Sequence, residues 1–133
     1  MAKYKSKNSD INASCETVYN FMANFNNFEK LMPSQVKNWK SDGETCSFTI
    51  ESLSELSMKI NNKVPNKSIN IISYGKNPVD YTLDCFFWPV GKDKCEVEII
   101  FNADLNAFIK MVADKPLQNF VNMLADKLGE QFE

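Results

Sequence analysis

Apolar residues recur along this chain with two different spacings, and the switch between them marks out its elements. Tyr4 to Ile11 predicts a short first strand, with Tyr4, Ser6 and Asn8 on one side and Lys3, Lys5 and Lys7 on a solvent side. Val18, Phe21, Met22 and Phe25 then recur at i, i+3, i+4 and i+7, the spacing of one helix face. Ser14 is placed to cap that helix through its hydroxyl, and Glu16 suits the positive end of the helix dipole. Asn26-Asn27 is expected to interrupt it. A second short helix carrying Phe28, Leu31 and Met32 is expected to stop at Pro33, because the residue before proline disfavours helical angles.

From Val36 to Leu105 the period changes to two. Phe48 and Ile50 alternate with Ser47, Thr49 and Glu51, and Leu56, Met58 and Ile60 alternate with Ser57, Lys59 and Asn61. Pro65-Asn66 turns the chain, after which Ile69 and Ile71 alternate with Ser68 and Asn70. Beyond Gly75-Lys76-Asn77-Pro78, the residues Tyr81, Leu83, Cys85 and Phe87 share a face. Beyond the turn at Gly91, so do Cys95, Val97, Ile99 and Phe101. Short connections between alternating runs imply an antiparallel meander with one dry face and one wet face. A tight turn at Pro65-Asn66 places Ile60 opposite Ile71, so the dry faces coincide. The chain ends in a long helix over about 106–132, with Phe108, Met111, Val112, Phe120, Leu124 and Leu128 as its apolar stripe. Pro116 interrupts it, and an interior proline kinks or divides a helix at a cost of about 3 kcal/mol, so a bend is expected near Ala113 to Lys115.

The resulting order is β-α-α-β-β-β-β-β-β-α: an α+β chain with a curved seven-stranded antiparallel sheet and two short helices between its first and second strands. One dry face must be covered, and the terminal helix is the only element large enough. The 133 residues make one domain, 1–133, without repeat or linker, and long enough to bury roughly 65–70% of the unfolded surface without a metal or disulfide.

Composition narrows the chemistry. All fifteen basic residues are Lys, with no Arg and no His. Two-pronged guanidinium recognition of phosphate or carboxylate is therefore excluded, as is the commonest general base and metal ligand. A formal charge of -2 argues against nucleic-acid binding. Cys15, Cys46, Cys85 and Cys95 form no C-x-x-C pair, and no run approaches the roughly 20 apolar residues of a membrane span. The polar opening Met1-Ala2-Lys3-Tyr4-Lys5 has no apolar stretch of signal-peptide length, so reduced thiols and a cytoplasmic location are expected.

The stretch INASCETVYNFMANFNNFEKLMP resembles the opening of START-related domains of the SRPBCC superfamily, which includes birch-pollen-allergen-like and polyketide cyclase/dehydrase-like proteins. The likeness is carried by Val18, Phe21, Asn27, Phe28 and Pro33, and extends through the meander to the proline-broken final helix. It implies the helix-grip fold, in which the sheet wraps around the last helix and a cavity lies between them. It also implies a small hydrophobic or amphipathic ligand of lipid, polyketide or quinone kind. Some members of the superfamily catalyse cyclisation or dehydration.

Residues expected to line such a cavity are Phe48, Ile50, Met58, Ile60, Ile71, Tyr81, Leu83, Phe87, Val97, Ile99, Phe101, Phe108, Met111, Val112 and Phe120. For each of them, filling the core is the plain alternative. Inward polar groups are expected at Tyr81, Ser73, Cys85, Ser6 and Asn8, with Tyr81 as the foremost orienting donor; a backbone partner is the plain alternative for each. No catalytic residue is assigned, because Asp84, Glu96 and Glu98 fall on the wet face, and no metal ligand or cofactor, because the sequence holds no metal-ligand cluster and no G-x-G-x-x-G or P-loop pattern. An enzyme reading would use Tyr81 with a rim carboxylate, Asp10 or Glu55. Cys15, at a helix start, is the thiol best placed for reactivity, with packing as the plain alternative. A third reading, a protein-partner module, would show itself as an exposed apolar patch near Trp39 or Val90.

Overall fold

The computed structural model describes residues 2–32, 34, 36–50, 55–75, 77 and 79–133. The expected stop at Pro33, the outward position of Glu51 and the turn residues Lys76 and Pro78 lie outside them. Strands β1 (Ala2–Lys5) and β2 (Ser9–Ile11) are followed by helices α1 (Cys15–Met22) and α2 (Phe25–Phe28) and a 3-10 turn, Glu29–Leu31. Then come β3 (Val36–Ser41), β4 (Thr45–Ile50), β5 (Glu55–Val64), β6 (Ser68–Ser73), β7 (Tyr81–Gly91), β8 (Lys94–Ala103) and helix α3 (Ala107–Gln131). The sheet is antiparallel, in the order β1-β8-β7-β6-β5-β4-β3 with β2 also on β8. It is therefore seven strands wide, its first strand supplied in two pieces.

That division has a local cause. Lys5 stands opposite Ile100 but Ser9 stands opposite Val97, so one extra residue is inserted between the pieces. Ser6 holds the break: its N–H donates to the Ile99 carbonyl at 2.8 Å and its hydroxyl accepts from the Ile99 N–H at 2.9 Å. A bulge of this kind reverses the in-out alternation. Tyr4 and Ser6 point inward, yet beyond the bulge it is Ile11 that is buried, and Asn8 is exposed, donating to Glu96 at 2.7 Å. The inward position expected for Asn8 is thereby corrected.

The asparagines of the helical segment start turns instead of stopping them. Ser14 caps α1 by accepting from Thr17 N–H, and Val18 and Met22 are buried as the spacing implies. The chain breaks at Ala23-Asn24, not at Asn26-Asn27, because the Asn24 side chain accepts from Asn26 N–H at 2.9 Å and opens α2. Asn27 donates back to the Phe21 carbonyl at 3.1 Å, tying α2 to α1. At the β3–β4 turn, Asp42 accepts from the N–H groups of Thr45 and Glu44 at 2.8 and 3.2 Å, which hold its carboxyl below the usual range. Gly43, at φ +100°, supplies the left-handed geometry next to it.

The meander follows the sequence pattern closely. Ile60 pairs with Ile71 and Ile71 with Leu83; Leu83 in turn pairs with Phe101 and Phe101 with Tyr4, one inner-face row across five strands. The outer strand β3 carries a register shift between Lys37 and Lys40, with Asn38 at φ 57°. Helix α3 is capped by the Asn106 side chain, which accepts from Ile109 N–H, and runs unbroken through Pro116. It packs against β8, β1, β2 and the 3-10 turn, burying Ala113, Leu117, Phe120, Val121, Leu124, Ala125 and Leu128.

Candidate functional site

The grip between the sheet and α3 is where the fold concentrates its apolar side chains. Phe48, Ile50, Met58, Ile71, Tyr81, Leu83, Phe87, Val97, Ile99, Phe101 and Phe120 are all buried. They are close-packed. Phe120 stacks on Phe48 with ring centroids 6.1 Å apart and meets Phe101 edge-on at 6.3 Å, while Tyr81 stacks on Phe101 at 5.1 Å. Ile50, Ile71, Leu83, Val97, Ile99 and Phe120 have 0% exposure, so no water-sized void touches them. Ile60 is half-buried at the margin of this core.

Three of the expected lining residues do not face the grip. Phe108, Met111 and Val112 are 76%, 82% and 53% exposed. The reason is helical drift. Met111 and Phe120 are about two and a half turns apart, which puts them on opposite sides of the helix. The inner stripe that ends at Leu128 passes through Leu117 and Ala113 and continues to Ile109, leaving Phe108, Met111 and Val112 as an outward apolar ridge.

A polar group that the sequence pattern did not suggest stands between β1 and the first turns of α3. The buried Tyr4 hydroxyl donates to Asp114 Oδ1, and Lys110 Nζ donates to both Asp114 oxygens at 3.1 and 2.9 Å. The signal was present: Lys110 and Asp114 lie four apart on a helix, and Tyr4 shares the inner side of the first strand with Ser6. Burial first, and then the hydrogen bond and charge of Asp114, push the Tyr4 phenol from 10 up to about 12. The Tyr4 hydroxyl first and Lys110 second hold the Asp114 carboxyl below the usual range. The folded chain keeps the Tyr4 proton where the unfolded chain has lost it. Stability from this group is therefore complete below pH 10 and declines as pH rises toward 12. A spectrophotometric titration of the phenols is expected to show one late step near 12, absent in Tyr4→Phe, whose denaturation midpoint falls less over that interval.

Tyr81 and Ser73 have internal partners, whereas among the described residues the buried Trp39 indole N–H has none. Tyr81, 3% exposed, donates to the Ser57 carbonyl at 2.7 Å, and burial pushes its phenol upward. The Ser73 hydroxyl accepts from Tyr81 N–H at 3.4 Å. Burial likewise raises the thiols of Cys46 and Cys85, and carries Cys95, which lies against Cys15, to about 12. Asp10 pairs opposite Glu96 while Tyr81 pairs opposite Ala103, seven residues along β8 and roughly 23 Å away. Glu55 is exposed on β5. Asp10 is thus not brought to Tyr81, while Glu55 stands two residues along β5 from Ser57, whose carbonyl the Tyr81 hydroxyl meets. Trp39 packs between Phe25 and Phe48 at 6.4 and 5.5 Å, whereas Val64, Trp88 and Val90 are exposed at the hairpin ends. Among the described residues, no helix is long and apolar enough to cross a membrane.

No family model matches the sequence, and no curated protein matches it. Solved structures do. The protein XoxI from Bacillus cereus is 14% identical with a TM-score of 0.77, the match covering 99% of this chain and 96% of that one. Truncated norcoclaurine synthase from Thalictrum flavum is 13% identical with a TM-score of 0.73, covering 98% and 93%. A START superfamily protein from Mycobacterium smegmatis is 14% identical with a TM-score of 0.70, covering 98% and 96%. Element order, the sheet curved about α3 and these end-to-end superpositions agree: the chain has the helix-grip fold of START-related, birch-pollen-allergen-like proteins.

Proposed function

We infer that the chain binds a small hydrophobic or amphipathic molecule of lipid, polyketide or quinone kind in the grip. Its apolar part would lie among Phe48, Met58, Ile71, Leu83, Phe101 and Phe120, and its polar end against Tyr4, Asp114 and Lys110. The observation that carries this reading is the polar trio itself. It sets the Tyr4 ring against the aromatic core, 6.5 Å from Phe101 between centroids, with its hydroxyl on Asp114 and the half-exposed Lys110–Asp114 pair at the rim. An apolar wall with a few convergent polar groups is the usual composition of a small-molecule site. The fold supports the same reading: a norcoclaurine synthase structure with this fold is in complex with dopamine and hydroxybenzaldehyde.

Phe48, Phe101 and Phe120 pack against one another across the grip, so a molecule seated among them would turn at least one of these rings aside. Native mass spectrometry of the chain purified from its own host, followed by solvent extraction, is expected to find one small apolar molecule per chain. Lys110→Gln with Asp114→Asn is expected to weaken retention of an amphipathic molecule at least fivefold. Chain free of any extracted molecule, and failing to bind a graded series of fatty acids and quinones, would overturn the reading.

A further inference from the structure

We propose a second small-molecule site, outside the grip, at the end of the sheet where two hairpins diverge, and assign it a flat aromatic molecule bearing an anionic group. The pairing of β6 with β7 ends at Ser68 opposite Phe86, after which the Phe87 N–H still donates to the Lys67 carbonyl at 2.9 Å. Strand β7 continues through Trp88, Pro89 and Val90 with β8 on one side and nothing of β6 on the other. The β5–β6 turn, with Asn66 at φ 64°, stands beside it. Between them lies an open cleft of about 740 Å³ lined by Pro65, Lys67, Phe86, Trp88 and Pro89 among others, with Cys15 from the start of α1 also lining it. That volume is within the range of roughly 300–1,000 Å³ typical of ligand sites.

The lining specifies the occupant. Phe86 and Trp88 project from the same side of β7 with their rings stacked, 6.2 Å between centroids and 27° between planes. Trp88 is 44% exposed, so part of this aromatic shelf has no protein partner, and a flat ring recovers its burial best. Among the described residues, Lys67 is the only charged side chain lining the cleft, and no ion pair engages it. Across β8, Glu98, opposite Phe86, is paired with Lys5 at 3.7 Å, while Glu96, opposite Trp88, accepts from the neutral amide of Asn8 at 2.7 Å. An ammonium with no carboxylate of its own favours an anion. An extended peptide is a poorer fit, because Pro89 on the open edge of β7 has no N–H to offer an added strand.

Two dyes separate the parts of this proposal: 1-anilinonaphthalene-8-sulfonate and its uncharged counterpart N-phenyl-1-naphthylamine, titrated by emission. In the Lys110→Gln, Asp114→Asn background, where the grip retains amphipathic molecules least, one equivalent of the sulfonate is expected to bind. Trp88→Ala is expected to weaken it at least tenfold, and Trp88→Phe, which keeps a ring at an exposed position, by less than threefold. Lys67→Gln is expected to weaken the sulfonate about fivefold while leaving the uncharged dye within twofold. Unchanged affinity in Trp88→Ala would place the dye elsewhere and overturn the site. Equal weakening of both dyes by Lys67→Gln would overturn the anionic assignment. A molecule held in the grip would be retained by all three variants, so failure here is distinct from failure of the grip reading.

Discussion

Phe120→Ala is expected to lower the unfolding free energy by about 4 kcal/mol, seen as a fall in the urea midpoint without a change in slope. The ring has no exposed surface, and it is the side chain through which α3 reaches across the grip to Phe48 on β4 and Phe101 on β8. Its removal takes away the transfer energy of a large aromatic group and leaves a void. The neighbouring Phe48 and Phe101 belong to different strands, β4 and β8, which cannot both move inward to fill it. That void would be apolar, and apolar voids of this kind stay dry and admit small hydrocarbons. Toluene is therefore expected to raise the melting temperature of Phe120→Ala and to leave the parent chain nearly unchanged, by linkage to the folded state. A loss under about 1 kcal/mol, or an equal response of parent and variant to toluene, would show the core to be slack.

Pro116→Ala is expected to act in the opposite direction, stabilising the chain by about 2 kcal/mol. A proline inside a helix lacks the N–H that would bond four residues back, here to Val112, and its ring crowds that carbonyl, at a cost of about 3 kcal/mol relative to alanine. Proline returns roughly 0.4–1 kcal/mol by restricting the unfolded chain, and the difference between the two effects is the expected gain. Pro116 is only half-buried and Val112 is exposed, so alanine removes little packing. Calorimetry and far-ultraviolet circular dichroism together check this result. A fall in stability would mean that the ring's contacts with its neighbours outweigh the missing bond.

The sheet was legible because strand alternation is strict and errors do not accumulate across short turns. Ile60 opposite Ile71 follows from one turn at Pro65-Asn66, and Tyr81, Leu83, Cys85 and Phe87 follow from parity alone. Parity fails where a residue is inserted, and nothing in Ser6-Lys7-Asn8 announces the bulge: it depends on Ser6 meeting Ile99, ninety-three positions away. The helix misled for a related reason. Apolar residues on α3 form two groups on opposite faces, and joining Met111 to Phe120 crosses from one face to the other. The Tyr4–Asp114–Lys110 group was hidden because it joins opposite ends of the chain, although each member sat in a recognisable position on its own element.

The kinked strand β3 has a consequence for how many copies can live together in solution. It is one of the two outermost strands, and its register slips between Lys37 and Lys40 where Asn38 turns left-handed. A flat outer strand invites a neighbour to zip alongside, copy after copy. Here the bend and two flanking ammonium groups spoil that template, and on the far side Lys3 and Lys5 guard β1 in the same way. Crowding the molecule should therefore not recruit its borders into runaway cross-chain sheets, which leaves its apolar ridge and hairpin cleft exposed without making the molecule sticky along its edges.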